Sequence, residues 1–391
     1  MTGWRKARLG DCCEIVSGAT PSTSVDDYWD GDTCWATPRD LSGLDGHYIS
    51  DTPRKLTEAG LASCSATILP PNSVLFSSRA PIGHVAINTV PMATNQGFKS
   101  LVPGPEVDAK FLLHWLRANR SFLEGLGVGA TFKEVSKAVV TKVEIPLPPL
   151  AEQRRIAAIL DRADALRATR REALAQIDRL AQSIFVEMFG DPVANSKGWN
   201  LAPLPDSTDF QEGPGILAKD FREEGIPLVR LAGMGGAEVS LRGCNFVDPA
   251  MFARKWSHFA LEEGDILVLT SATFGSPTVV GKEAVGALFY TGIIRFRPKG
   301  LNLDSTYLRH YLASPWFLRQ AKALASGAVI KHFGPTHLRQ MNIPVPPLQL
   351  QQQFATRIAA QESLRMQAKA AAEAMEQLFA SVQQKAFSGG L

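Results

Sequence analysis

The stretch IPLPPLAEQRRI, residues 145–156, returns as IPVPPLQLQQQF, residues 343–354. Ile145, Pro146, Pro148, Pro149, Leu150 and Gln153 recur as Ile343, Pro344, Pro346, Pro347, Leu348 and Gln351, all at one offset of 198 residues. Working outward, Gly129 and Lys133 answer Gly327 and Lys331 at the same offset. Farther upstream the match drifts but persists. Val74-Leu75 with Gly83 answers Ile266-Leu267 with Gly275, and Gly97 answers Gly292. Asp108, Phe111 and Trp115 answer Asp304, Tyr307 and Tyr311, while Trp4 and Gly18 answer Trp199 and Gly213. Internal self-similarity fixes architecture before any single motif does. The chain is two copies of one unit.

The Pro-Pro step sets where each helix begins. Proline fixes its own φ and pushes the preceding residue out of the helical region, so each IPxPP run is extended and a helix starts only after it. From Ala151 to Phe189 and from Gln349 to Phe387 there is neither proline nor glycine. At about 1.5 Å per residue each run gives roughly 58 Å of helix, far beyond three or four turns. A 4-3 spacing along the first touches Ile156, Leu160, Ala163, Arg167, Arg170, Leu174, Ile177, Ala181, Ile184 and Met188. Shifted to the second copy it touches Phe354, Ile358, Gln361, Arg365, Ala368, Ala372, Met375, Phe379, Val382 and Ala386. Both sets are mostly apolar, and Arg167 and Arg365 interrupt them at the same place, as in one coiled-coil seam kept in phase. Antiparallel pairing of the two helices closes the connectivity and gives the chain an internal pseudo-twofold axis.

The organisation expected is a domain over residues 1–144, junction and helix over 145–191, a second domain over 192–342, and junction and helix over 343–391. Each domain alternates short β-type runs with turn signals: Glu14–Val16, Ser73–Ser77, His84–Asn88, Lys99–Val102 and Lys142–Ile145 in the first. Leu228–Leu231, Asp265–Leu269, Thr278–Gly281 and Ile293–Phe296 match them in the second. One helix is expected near the end of each, about Asp108–Leu123 and Asp304–Leu324. The fold class is α+β, with two repeated mixed domains joined by two long helices.

Composition removes several alternatives. The chain has 391 residues, 45% hydrophobic and 20% charged, with 41 Lys+Arg against 38 Asp+Glu. Disorder is incompatible with that apolar content. No stretch approaches the roughly 20 apolar residues of a membrane helix, and the opening MTGWRKARLGDCCE lacks the apolar run of a signal peptide, so a cytoplasmic protein is expected. The five cysteines include no C-x-x-C pair, which argues against a zinc site and for reduced thiols. Residues 1–144 hold 14 Lys+Arg and 15 Asp+Glu, and residues 192–342 hold 16 and 13. Neither domain carries the basic excess of a dedicated DNA-binding module. Phosphate-loop, H-E-x-x-H, G-x-S-x-G and G-x-G-x-x-G signatures are absent, as is the N-P-P-Y or D-P-P-Y tetrad of amino-methyltransferases, so no catalytic residues are assigned. The seven histidines are scattered without ligand spacing, and no metal site is expected.

This arrangement resembles the specificity subunit of type I restriction-modification systems. The resemblance rests on the two domains, the two long helices, the doubled I-P-x-P-P-L-x-x-Q junction, and the loops G-A-T-F-K (129–133) and N-Q-G-F-K-S (95–100). It covers essentially the whole chain. It implies that each domain reads one half of a split double-stranded DNA target, that the helices space them, and that two modification (adenine methyltransferase) subunits and restriction/translocase subunits dock on the framework. It further implies that S-adenosylmethionine, magnesium and ATP belong to those partners and that this chain carries no cofactor and does not catalyse. The second copy departs from the pattern with Thr291-Gly292-Ile293 and Val329-Ile330-Lys331. A recognition subunit of a type IIB-like system, a protein-binding coiled-coil scaffold, and an enzyme with an unrecognised site are the other readings.

Base edges are read by Arg, Lys, Asn or Gln, and phosphates by cations and hydroxyls. Polar residues beside expected strands and glycine turns are therefore the DNA-binding candidates. In the first domain they are Arg39, Ser77, Ser78, Arg79, Asn95, Gln96, Lys99 and Lys133. In the second they are Arg230, Thr270, Ser271, Arg295, Lys331 and His332. On the first long helix, Glu152, Arg154, Arg155, Arg162, Arg171 and Arg179 form a charged face that is the candidate partner-binding surface.

Overall fold

The computed structural model describes residues 3–44, 46–79, 81–129, 133–191, 193–236, 238–270, 277–300, 302–325 and 333–391. The chain forms two compact units, Met1–Arg171 with Ala370–Leu391, and Glu172–Lys369. These limits fall inside the long helices rather than at residues 144 and 342. The first turns of each helix pack on the domain that precedes them and the last turns on the other unit's domain, so each unit takes a share of both helices.

In the first unit, a five-stranded sheet runs in the order Cys13–Ser17, Lys99–Pro103, Val74–Phe76, Val85–Asn88, Tyr48–Ile49, antiparallel except at its last pair. A three-stranded sheet pairs Trp29–Ala36 with Lys55–Leu56 on one side and, in parallel, with Met92–Thr94 on the other. Arg5–Arg8 pairs with Glu144–Leu147 and so ties the start of the chain to the Pro-Pro junction. The second unit repeats each part. Thr208–Glu212, Ile293–Pro298, Ile266–Leu269 and Thr278–Val279 form one sheet. Phe221–Arg222, Asn245–Val247, Ile226–Val229 and Leu288–Phe289 form another, and Leu201–Pro203 pairs with Asn342–Pro344.

Several expected elements change at their ends for local reasons. Lys137–Lys142 is a helix whose Ser136 cap accepts from Val139 N, so the strand expected from Lys142 begins only at Glu144. The helix expected over Asp108–Leu123 is two, Ala109–Ala118 and Arg120–Gly125, broken at Asn119. Its counterpart breaks before Pro315, which lacks the N–H that would continue Ser305–Leu312.

The long helices are Leu150–Phe189 and Leu348–Ser388. Within the first unit, Ile156, Ala157 and Leu160 bury against Phe379, Ala386 and the domain's Phe111, whose ring meets Phe387 edge-on at 5.5 Å. Within the second, Phe354 and Ile358 bury with Phe185, Met188 and Phe189, and Phe189 meets Tyr307 edge-on at 4.8 Å. Phe387 and Phe189 occupy equivalent positions 198 residues apart, as the repeat requires. The pairing in each unit is antiparallel, and of the twenty seam positions only Arg170 and Arg365 are exposed.

The glutamine of each junction explains why the motif extends past the prolines. Gln153 is fully buried; its Oε1 accepts from Asp108 N at 2.9 Å, and its Nε2 donates to Glu106 O and Pro148 O, both at 2.8 Å. Gln351 accepts from Asp304 N at 2.9 Å and donates to Asn302 O and Pro346 O at 3.1 and 2.8 Å. Asp108 and Asp304 in turn cap the following helices by accepting from Phe111 N and Tyr307 N. One side chain thus fastens the start of the long helix to the cap of the domain helix.

All five cysteines are free thiols, with Cys12, Cys13 and Cys34 buried. Among the described residues no helix is long and apolar enough to cross a membrane.

Candidate functional site

In the first unit the polar candidates gather around one corner, where the strands Trp29–Ala36 and Met92–Thr94 end side by side. Asn95 N donates to Ala36 O at 2.9 Å, and Asn95 Oδ1 accepts from Gly97 N at 2.9 Å, closing the N-Q-G turn. Gly18 lies against the carbonyls of Thr94 and Asn95 so closely that a Cβ would collide with both. The segment it begins is pinned by two indoles: Trp35 Nε1 donates to Ala19 O at 3.0 Å and Trp29 Nε1 to Ser22 O at 3.1 Å. Thr20 Oγ1 then donates to Gln96 Oε1. Arg39 is exposed on the helix Pro38–Ser42, whose start is held by Thr37 N and Oγ1 donating to Asp40 Oδ2 at 2.7 and 2.8 Å.

Of the residues expected to meet DNA, Arg39, Gln96 and Lys133 are exposed, and Arg79 and Asn95 are half-buried. Three expectations are corrected. Ser77 and Ser78 are fully buried with their hydroxyls spent on backbone: Ser77 Oγ donates to Pro81 O at 2.8 Å and accepts from His84 N, and Ser78 Oγ donates to Gly97 O at 3.1 Å. Lys99 is buried, with its Nζ 3.1 Å from Glu134 Oε1, and the same carboxylate lies 3.8 Å from Arg79. Ser77, Ser78 and Lys99 thus build the corner from within.

The second unit repeats the corner with different chemistry. Gly213 lies against the carbonyls of Phe289 and Tyr290, and Tyr290 N donates to Val229 O at 3.1 Å. Arg230 is exposed and its Nη1 donates to Asn245 Oδ1 at 2.8 Å. Two further expectations fail on burial. Thr270 donates to Gly292 O at 3.1 Å from a buried position, and Arg295 is 3% exposed and ion-paired with Asp209. Ser271, Lys331 and His332 lie outside the described residues.

On the first long helix, Arg154, Arg155, Arg162, Arg171 and Arg179 are exposed and Glu152 is half-buried. Arg155 pairs with Glu152 at 2.7 Å, which holds the Glu152 carboxyl below its usual range, and Arg171 pairs with Glu376 at 2.7 Å.

The histidines are less scattered than the sequence suggests. His47 and His114 meet edge-on at 5.0 Å above Asp161 and Asp164 of the first long helix. His114 Nε2 is 2.7 Å from Asp161 Oδ1, and Lys110 Nζ is 2.7 Å from Asp161 Oδ2. Burial pushes the Asp161 carboxyl up, but hydrogen bonds from His114 and Lys110 outweigh it and hold it well below the carboxylate range. Burial and the neighbouring Arg117 push His47 down to about 4. Although His47, His114 and Asp164 bring three potential ligand atoms within 4.8 Å, the geometry disfavours a metal. Arg117 Nη1 donates to His47 Nδ1 at 2.6 Å, which leaves the ring proton on Nε2, the atom that would face the ion. Lys110, Arg117 and Arg167 already offset the two carboxylates. The network joins the domain to its helix. In the second unit Ala359 stands where Asp161 would; His310 occupies the place of His114, with its Nδ1 2.9 Å from Thr306 O, and Glu362, the counterpart of Asp164, pairs with Arg309 at 2.8 Å.

A duplicated α+β domain with junction-locked helices and a polar corner that keeps its frame while changing its side chains defines a class. A family model described as the type I restriction modification DNA specificity domain matches residues 1–179 and 251–370, more than half of the chain. The chain belongs to this family. The MjaIX specificity subunit of Methanocaldococcus jannaschii is 32% identical over 247 residues, 58% of this chain and 57% of that protein, so the chain spans little more than half the length of this relative. The MjaVIII specificity subunit of the same organism is 22% identical over 383 residues, covering 92% of this chain and 86% of that protein. Among solved structures, a chain from work on complex assembly and conformational transition of the type I R-M system aligns with a TM-score of 0.68 at 21% identity, covering 100% of this chain and 99% of that one. The HsdS subunit from Thermoanaerobacter tengcongensis aligns at 0.50 and 22% identity, covering 100% and 98%. At these identities the structural likeness carries the fold alone.

Proposed function

We propose that this chain is the non-catalytic subunit that gives a type I restriction-modification complex its DNA specificity. Each unit reads one half of a bipartite double-stranded target through its glycine-framed corner. The long helices dock two modification subunits and, with them, restriction/translocase subunits; S-adenosylmethionine, magnesium and ATP are held by those partners. The observation that carries the reading is the contrast between frame and surface. Gly18 and Gly213 make the same backbone approach, while the side chains displayed beside them, Arg39 and Gln96 in one unit and Arg230 and Tyr290 in the other, differ. A duplicated reader of two different half-sites needs that combination.

The helices support docking of two copies of one partner. Leu166 and Leu378 are 53% and 55% exposed in the first unit, and their repeat equivalents Leu364 and Leu180 are 48% and 41% exposed in the second. The same apolar pair is therefore offered once per unit, beside the arginines of the charged face.

The test is single-molecule mapping of adenine methylation in a host expressing this chain with the modification subunit of its own system, and expressing each alone. The expected result is a split motif with one methylated adenine per half, seen only when both are present. An unsplit motif, or none from a demonstrably folded pair, would overturn the reading in favour of a scaffold.

A further inference from the structure

Two arginines, one per unit, stand at the same corner of the fold on aromatic supports. Ala36 lies opposite Thr94 across a parallel strand pair, and Val229 lies opposite Phe289 across its counterpart. The two glycines approach the carbonyls of Thr94 and Asn95, and of Phe289 and Tyr290, which fixes the correspondence between the units residue by residue. On the antiparallel side, Trp35 N donates to Arg54 O at 3.2 Å, and Leu228 is paired with Asn245. Arg54 and Asn245 therefore occupy one topological position.

The first unit fills that position with an arginine directly. Arg54 is exposed, its guanidinium carbon lies 3.5 Å from the ring centroid of Trp29 and 5.3 Å from that of Trp35, and no described residue accepts a hydrogen bond from it. The second unit reaches the same place from the neighbouring strand. Arg230 is held there by Asn245 Oδ1, with its guanidinium carbon 5.3 Å from the Tyr290 centroid and 5.9 Å from that of Phe221. Two unlike sequences thus end in one device, an exposed guanidinium within cation–π reach of two aromatic rings.

Holding a guanidinium against rings restricts its rotamer freedom before any ligand arrives; it leaves all the N–H groups of Arg54, and those of Arg230 other than the Nη1 donor to Asn245, for a ligand. Its planar fork matches the paired O6 and N7 acceptors that guanine presents in the major groove, which an ammonium cannot match. We propose that Arg54 and Arg230 are equivalent specificity-determining residues, each reading a guanine in the half-site of its own unit. The proposal rests on the DNA-recognition reading above and names the letter-reading group within it.

The experiment uses the full chain with its modification subunit and maps the methylated motif for wild type, Arg54→Lys, Arg54→Ala, Arg230→Lys and Arg230→Ala. The expected result is that both Arg54 variants lose discrimination at one guanine of one half-site by about 10- to 100-fold, with the other half unchanged, and that both Arg230 variants do the same in the other half. The lysine variants keep the charge and the stem, so they separate letter reading from phosphate binding and from support of the fold. Wild-type letter preference in Arg54→Lys and Arg230→Lys, or a uniform loss of methylation at every letter, would overturn the proposal. A wild-type chain that yields no split motif would instead remove the reading beneath it.

Discussion

Arg167 holds Glu376 across the helix pair of the first unit, Nε to Oε2 at 3.0 Å, and the second unit makes the same bond between Arg365 and Asp178, each partner displaced by 198 residues. The two arginines that interrupt the apolar seam at the same place in both copies are therefore each matched to a carboxylate on the opposing helix. Their surroundings differ. The Arg167 side chain is 18% exposed, stacks on Phe379 at 3.9 Å and also meets Asp164, whereas Arg365 is 46% exposed.

The two pairs should consequently be unequal. Glu376→Gln is expected to cost about 1–2 kcal/mol, because it removes a charge-assisted bond from a largely enclosed guanidinium. Asp178→Asn is expected to cost under about 0.5 kcal/mol, as an exposed pair does. Urea unfolding of the single and double variants checks this, and equal losses at the two sites would show that enclosure does not matter here.

The junction glutamines give the larger effect. Gln153→Leu fills similar space but leaves Asp108 N and the carbonyls of Glu106 and Pro148 without their partner. A loss of about 3 kcal/mol is expected from these buried groups, and Gln351→Leu should match it. Thermal melts of both variants decide the matter; midpoints at the wild-type value would mean that water replaces the amide.

Acid should loosen the first unit through His47. The unfolded chain takes up this proton near 6.5, whereas the folded ring, enclosed and facing Arg117, takes it up only near 4. Stability therefore falls as pH drops through that window and is level above it. Asp161 acts only at lower pH, because His114 and Lys110 keep it ionised. Melting temperatures between pH 7.5 and 4.5 should show a shallower acid decline for His47→Gln than for wild type. Parallel declines would assign the acid sensitivity to other groups.

The helices, the duplication and the α+β domains were legible because prolines, glycine-free runs and repeat offsets act through the backbone, and the same backbone rules shape the fold. Side-chain direction was not legible. Ser77, Ser78 and Lys99 sit beside glycine turns as a recognition residue would, but the strands they adjoin are buried on both faces, so even the consecutive Ser77 and Ser78 are enclosed. The eight-residue strand Trp29–Ala36 carries a weak strand signal because its Asp-Gly-Asp centre reads as a turn; a bulge between Trp29 and Thr33 absorbs it. His47 and His114 meet only through tertiary packing. Arg54 carries no signal in sequence, since its value comes from two tryptophans that precede it by 19 and 25 positions.

The junction clasp has an evolutionary corollary. All three bonds of Gln153, like those of Gln351, are made to backbone N–H and C=O groups. A fastening that consults no side chain of the domain it secures sets few conditions on that domain's sequence. Exchange of the domain upstream of IPxPP would therefore leave this clasp intact wherever the incoming helix cap forms, and the matching of side chains would fall to contacts such as those of Phe111 and Asp161.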